Sequence, residues 1–195
     1  MTRVGYGITS GTFSLDGQTF DVDNNVWVVG DDERCVVIDA PHSVPGILSV
    51  VDGRTVTAIV LTHAHDDHVR VAPQLAAETG APMFLHPAEE PLWKLTHPDV
   101  PMPQPLTDGQ VIGGLTVMHT PGHSPGAVCL YSAELGAVFT GDTLFQGGPG
   151  ATGRSYSDPV TIVESIRARL LTLPPETVVH TGHGDDTTIG AESGI

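Results

Sequence analysis

The sequence predicts an α/β protein in which two β-sheets pack together with helices outside. Three observations lead there. Short apolar, β-branched runs separated by turn residues open the chain, runs of strand length then alternate with helical patterns, and the same alternation returns in the second half. A length of 195 residues, 39% hydrophobic content, 23 glycines and 16 prolines fit one domain, residues 1–195, with many loops, and loops commonly carry function.

The elements follow in order. "TFSLDGQTF" reads as a hairpin about Asp16-Gly17, and "NVWVVG" and "RCVVIDA" as strands parted by Asp31-Asp32. "SVPGILSVVDG" suggests a short helix. "VTAIVLTH" is a strand-length run whose near-continuous apolarity predicts burial on both faces. "DDHVRVAPQLAAETG" has helical spacing through Pro73 and a C-cap at Gly80, and "APMFLH" is a further short strand.

Six prolines between Pro87 and Gly109 forbid a long helix and leave a short one followed by an extended surface segment. "LTVMHT", "AVCLYS" and "AVFTG" read as strands. Asp158 as N-cap, Pro159 at the first helical position and apolar residues at 160, 163, 166, 170 and 171 predict an amphipathic helix, with "TVVHTG" as the last strand.

Composition removes several functions. The N-terminus lacks an apolar stretch of signal-peptide length and no run of about 18 apolar residues occurs, so the expectation is a cytoplasmic protein without membrane association. A net charge of −15 would repel phosphate backbones, which excludes nucleic acid as a general partner. Cys35 and Cys129 sit inside apolar strands and read as buried reduced thiols. Nothing in the sequence fixes the oligomeric state.

Four segments share one character: "THAHDDH", "TPGHSPG", "FTGDTLF" and "HTGHGDD" each follow an apolar strand and expose His or Asp at a turn. Ends of strands on one sheet edge lie close in space, so such segments can converge on a cleft. His63, His65, His68, His123 and His183 with Asp67 and Asp142 are nitrogen and oxygen ligands suited to Zn, Mn or Fe. Seven are too many for one tetrahedral ion but suit two ions about 3.5–4 Å apart that share a carboxylate.

"HAHDDH" resembles the His-x-His-x-Asp-His signature of the metallo-β-lactamase superfamily, and "PGHSPG", "GDTLF" and "GHG…TTI" are similar to the remaining motifs of its glyoxalase II-like branch, in family order between Thr62 and Ile189. The resemblance implies an αββα sandwich of two mixed sheets flanked by helices. It implies His63, His65 and His123 on a first metal, Asp67, His68 and His183 on a second, and Asp142 bridging, the two divalent ions being zinc, or iron or manganese. Asp66 falls at a variable position and is expected to be an exposed or turn-capping carboxylate. A hydroxide held between two cations stays nucleophilic at neutral pH and would attack an acyl carbon, with Asp67 orienting it. The substrate class implied is a small-molecule thioester. Glyoxalase II also carries a C-terminal helical region that holds glutathione, and the expectation is that this chain lacks it; the loop "GGPGATGRS" and the ending resemble actinobacterial members, which points to an S-acyl mycothiol.

The same fold hosts rivals: an iron persulfide dioxygenase, a lactonase, a β-lactamase, an RNA-processing nuclease and a non-catalytic metal or redox module. The absence of a cysteine ligand counts against a β-lactamase and the charge against a nuclease. In the loop Phe145 to Asp158, Arg154 and Tyr156 are candidate contacts for a substrate carboxylate and acyl chain. Trp93 reads equally as core or lid. His42, His86, His97, His119 and His180 are expected to be ordinary hydrogen-bonded residues, with His42 and His180 the two that could orient a ligand.

Overall fold

Asp16 and Gly17 both adopt left-handed backbone, at φ 54° and 73°, the conformation a two-residue hairpin loop needs to match strand twist. The loop joins β1 (Arg3–Leu15) to β2 (Gln18–Gly30) in unbroken register from Leu15↔Gln18 to Arg3↔Gly30. A computed structural model describes residues 1–195, which form two compact units, 1–106 and 107–195.

In the first unit, six strands run in the order β1-β2-β3-β4-β5-β6, with β3 at Arg34–Ile38, β4 at Thr55–Val60, β5 at Met83–Leu85 and β6 at Gln104–Pro105. The first three pair antiparallel and the rest parallel, joined through helices. Helix α1 (Val44–Val51) starts at Ser43, whose hydroxyl accepts the Gly46 N–H. Val26, Val28, Cys35 and Val37 form one core with Ile47 and Val51 of α1 and with Leu75, Leu92 and Trp93. Burial of β4 on both faces holds only from Ala58 onward, since Thr55 and Thr57 are exposed and the Thr57 hydroxyl donates to the Cys35 carbonyl.

The single helix expected over "DDHVRVAPQLAAETG" is two: α2 (Asp66–Val69) and α3 (Ala72–Thr79), the latter ended by Gly80 at φ 70°. Pro73 is the cause. It has no N–H to give to the carbonyl four residues earlier, that of Val69, which instead accepts from His97 Nε2 at 2.9 Å. The proline-rich segment holds a 3-10 turn (Pro87–Glu89) and α4 (Glu90–Thr96), and Trp93 is fully buried, so it is core and no lid.

The second unit is also a six-stranded mixed sheet, ordered β14-β13-β10-β9-β8-β7. Its strands are β7 (Val111–Ile112), β8 (Leu115–His119), β9 (Val128–Ser132), β10 (Ala137–Gly141), β13 (Val178–Thr181) and β14 (Thr187–Thr188), with β10 and β13 parallel. The expected last strand is therefore followed by another, paired antiparallel to it. A two-stranded ribbon, β11 (Leu144–Phe145) and β12 (Gly148–Pro149), forms the loop after β10.

Helix α5 (Pro159–Ser165) begins at Asp158 as expected and continues into a wider π-helical turn over Ile166–Leu170. Its buried residues are Ile162, Ile166 and Leu170, packed on Met118, Cys129, Val138 and Val179. Val160, placed on the apolar face by the 160–163 spacing, is 65% exposed. Ile166 and Leu170 are buried as expected, Val163 and Leu171 pack partly buried beside them, and Ile162 takes the core position expected of Val160. Cys35 and Cys129 are buried and reduced; burial pushes the Cys129 thiol up to about 11 and raises Cys35 also.

Candidate metal centre

In the first unit the candidate ligands lie in the turn after β4 and in α2. His63 and His65 are buried and their facing nitrogens, Nε2 and Nδ1, are 3.1 Å apart. Two nitrogens on one tetrahedral zinc at about 2.05 Å stand about 3.3 Å apart, so the spacing suits a shared cation. Asp67 and His68, also buried, bring Oδ2 and Nε2 to 3.5 Å.

Neighbours fix which ring nitrogens keep a lone pair. Asp39, in left-handed backbone directly after β3, accepts the Thr62 N–H at 2.7 Å and the Thr62 hydroxyl at 2.8 Å, and its Oδ2 accepts from His68 Nδ1 at 2.9 Å. The His68 proton is thus on Nδ1 and Nε2 can bind a cation. With its own proton committed to Asp39, the Thr62 hydroxyl accepts from His63 Nδ1 at 3.1 Å, which leaves His63 Nε2 as the lone-pair nitrogen. Asn24 donates to Asp67 Oδ2 at 3.0 Å while its amide oxygen accepts from His42 Nε2 at 2.7 Å, so His42 does orient a candidate ligand through Asn24.

Asp66 is neither exposed nor a turn cap. It is half-buried, accepts the Ser14 N–H at 3.0 Å and pairs with Arg70, whose guanidinium also donates to the Thr12 carbonyl. It therefore ties the hairpin to α2. Burial pushes its carboxyl up, against the opposing effects of the Ser14 N–H and Arg70.

In the second unit Asp142, just past β10, is the hub: its Oδ2 is 3.6 Å from His123 Nε2 and 3.4 Å from His183 Nε2. His123 Nδ1 donates to the Ala151 carbonyl at 2.9 Å, which again leaves Nε2 for a cation. Its turn is fastened at Gly122, where φ is +133° and an added Cβ would stand 2.2 Å from the Ile162 nitrogen; the Gly122 carbonyl accepts the Asp158 N–H at the start of α5. His119 Nε2 donates to the Pro125 carbonyl and closes the same turn. The turn carrying His183 is braced by the Thr181 hydroxyl on the His183 carbonyl.

His180 bonds Asp186 at 2.8 Å and stacks on Phe139, and burial lowers its pKa in spite of the carboxylate. His86 caps the 3-10 turn. Arg154 and Tyr156 lie in a wound turn in which Ser157 engages the Arg154 N–H and carbonyl; Tyr156 has φ +70° and is 47% exposed. Motif spacing does not single out Asp39, Asn24, Thr62 or Glu89. Asp39 alone carries a usable signal, since it ends a strand as the four motif segments do.

Each unit thus presents oriented His and Asp donors at strand ends, buried in the first unit and buried or half-buried in the second, the donor set of a protein that binds divalent transition-metal ions. Residues 19–183 match the family described as Metallo-beta-lactamase superfamily. The chain belongs to that superfamily, and with its two mixed sheets flanked by helices it is a metal-dependent hydrolase of the metallo-β-lactamase fold. It is 31% identical over 188 residues to hydroxyacylglutathione hydrolase GloC of Haemophilus influenzae, covering 86% of this chain and 89% of that one. The crystal structure of TTHA1623 in a di-iron-bound form is similar at a TM-score of 0.82 and 36% identity, over 95% of this chain and 96% of that one. That of BLEG-1 B3 metallo-beta-lactamase is similar at 0.79 and 29%, over 96% and 97%. No helix is long and apolar enough to cross a membrane.

Proposed function

We propose that this chain is a binuclear metal-dependent hydrolase of thioesters of a small thiol. His63, His65 and His123 would hold one divalent cation, Asp67, His68 and His183 the other, and Asp142 would bridge. The observation that carries the reading is the tautomer arrangement: Thr62, Asp39 and the Ala151 carbonyl each take a ring proton and leave Nε2 of His63, His68 and His123 basic.

Two bound cations would supply Lewis acidity towards an acyl carbonyl and acidify water. The protein's share is orientation. Asn24 holds one carboxylate oxygen of Asp67, which directs the side chain as an acceptor for the proton of an attacking water. Arg154 offers a guanidinium for a substrate carboxylate and Tyr156 an exposed ring for an acyl chain. The GloC similarity and the di-iron form of TTHA1623 support thioesters and two metals respectively, iron or manganese being alternatives to zinc. The net charge of −15 disfavours polyanionic substrates, and a cytoplasmic site of action fits a thioester of a cellular thiol.

β-Lactam hydrolysis is the second reading, favoured by the similarity to BLEG-1. Metal analysis of the purified protein, with a panel of S-lactoyl-glutathione, S-acyl mycothiol, a lactone, nitrocefin and a persulfide with oxygen uptake, decides between them. The expected result is two metals per chain and thioester turnover, with Asp67→Asn lowering kcat by about 100-fold. Efficient nitrocefin turnover without thioester hydrolysis, or one iron with persulfide-dependent oxygen uptake, would overturn it.

A further inference from the structure

Glu89 is fully buried at the end of the 3-10 turn that opens the proline-rich segment. Its Oε2 accepts the Ala64 N–H at 2.7 Å. Ala64 is the residue between His63 and His65, in a stretch outside both β4 and α2, where no ladder or helix bond serves its N–H. The other end of the Glu89 segment acts on the same stretch: His97 Nε2 holds the Val69 carbonyl, and Trp93, fully buried between them, lies 4.5 Å from the His97 ring. Residues 64–69, with His65, Asp67 and His68, are thus gripped at both ends by one segment, 89–97.

We propose that Glu89 is a positioning residue for the His63–Ala64–His65 turn. Its carboxylate orients the Ala64 peptide and so sets the separation of the two imidazoles that flank it. A short bond to one peptide N–H orients the peptide plane between His63 and Ala64, part of the link between the two histidines. Side chains of this kind behind metal ligands influence affinity by about 10–100-fold. The inference rests on the metal-centre reading above, and the experiment separates the two.

Apo-protein is titrated with Co²⁺ and followed by its visible spectrum, which reports ligand geometry independently of turnover. Glu89→Met fills the volume without an acceptor, and Glu89→Gln keeps one. E89M is expected to bind Co²⁺ about 10–100-fold more weakly with an altered spectrum, and E89Q to restore the wild-type spectrum and most of the affinity. Should E89M fail to fold by circular dichroism, Glu89→Asp, which withdraws the carboxylate by one methylene, replaces it with the same expectation. Wild-type affinity and spectrum in the folded variant overturn the inference, as does an E89Q no better than E89M. A wild-type protein that binds no Co²⁺ overturns the metal reading itself.

Discussion

Asp39 shows how one carboxylate decides what a histidine can do. Its Oδ1 takes the Thr62 N–H and its Oδ2 takes both the Thr62 hydroxyl and His68 Nδ1. In Asp39→Asn, one acceptor oxygen becomes an NH₂ donor. Directed at His68, that donor would require a lone pair on Nδ1 and move the ring proton to Nε2, the nitrogen proposed to face a cation. Directed at Thr62 instead, it would meet the N–H as donor against donor. Either choice costs, so Asp39→Asn is expected to fold and to bind divalent metal about 10–100-fold more weakly. Equilibrium dialysis against a metal buffer measures this, and an unchanged affinity would show that Asp39 serves only the turn. His63 depends on the same carboxylate at one remove, because the Thr62 hydroxyl can accept from His63 only while its own proton is committed to Asp39.

At the scale of elements, caps are the most transparent feature. Asp158 accepts the Val160 and Thr161 N–H groups at 2.9 and 2.8 Å, and these bonds hold its carboxyl below the usual value of 3.8. A carboxyl whose pKa is lowered by folding stabilises the fold above its unfolded pKa and ceases to do so as pH falls through the folded one. Asp158→Ala should therefore melt a few degrees lower at pH 7, with the gap closing below about pH 4, as thermal melts from pH 7 to pH 3 would record. A constant gap across that range would assign the loss to packing. The cap and the Asp16-Gly17 hairpin were legible because each is a local pattern, a side chain beside the backbone it serves or a turn chemistry, whereas the seven candidate ligands are proposed from motif spacing. The break at Arg70-Val71 was legible only in part, since Pro73 announces a missing bond but not that His97 would arrive to take the Val69 carbonyl. That Ile162 rather than Val160 faces the core needed the sheet the helix packs on, and Glu89 needed a partner 25 residues away.

Charge governs the molecule as a whole. At −15, with 23 acidic residues against eight basic ones, the chain repels itself in the compact state, and a share of that charge stands beside histidines, at Asp39 and Asp67 in the first unit and at Asp142 in the second. Two divalent cations would remove four negative charges and would bind the folded chain far better than an unfolded one in which the donors are dispersed. A ligand present at about 100 times its Kd stabilises by about 2.7 kcal/mol. For a chain of this length that corresponds to a rise in Tm of about 5–10 °C. Stripping the purified protein with a chelator should lower its Tm by that amount, and stoichiometric Zn²⁺, Mn²⁺ or Fe²⁺ should restore it, each to a degree set by its affinity. The size of the restored shift, compared between wild type and Asp142→Asn, then isolates the bridging position. Loss of the bridge should remove more of the shift than loss of a ligand to one ion alone, such as His183→Ala, and equal losses would show that the two cations bind independently of Asp142.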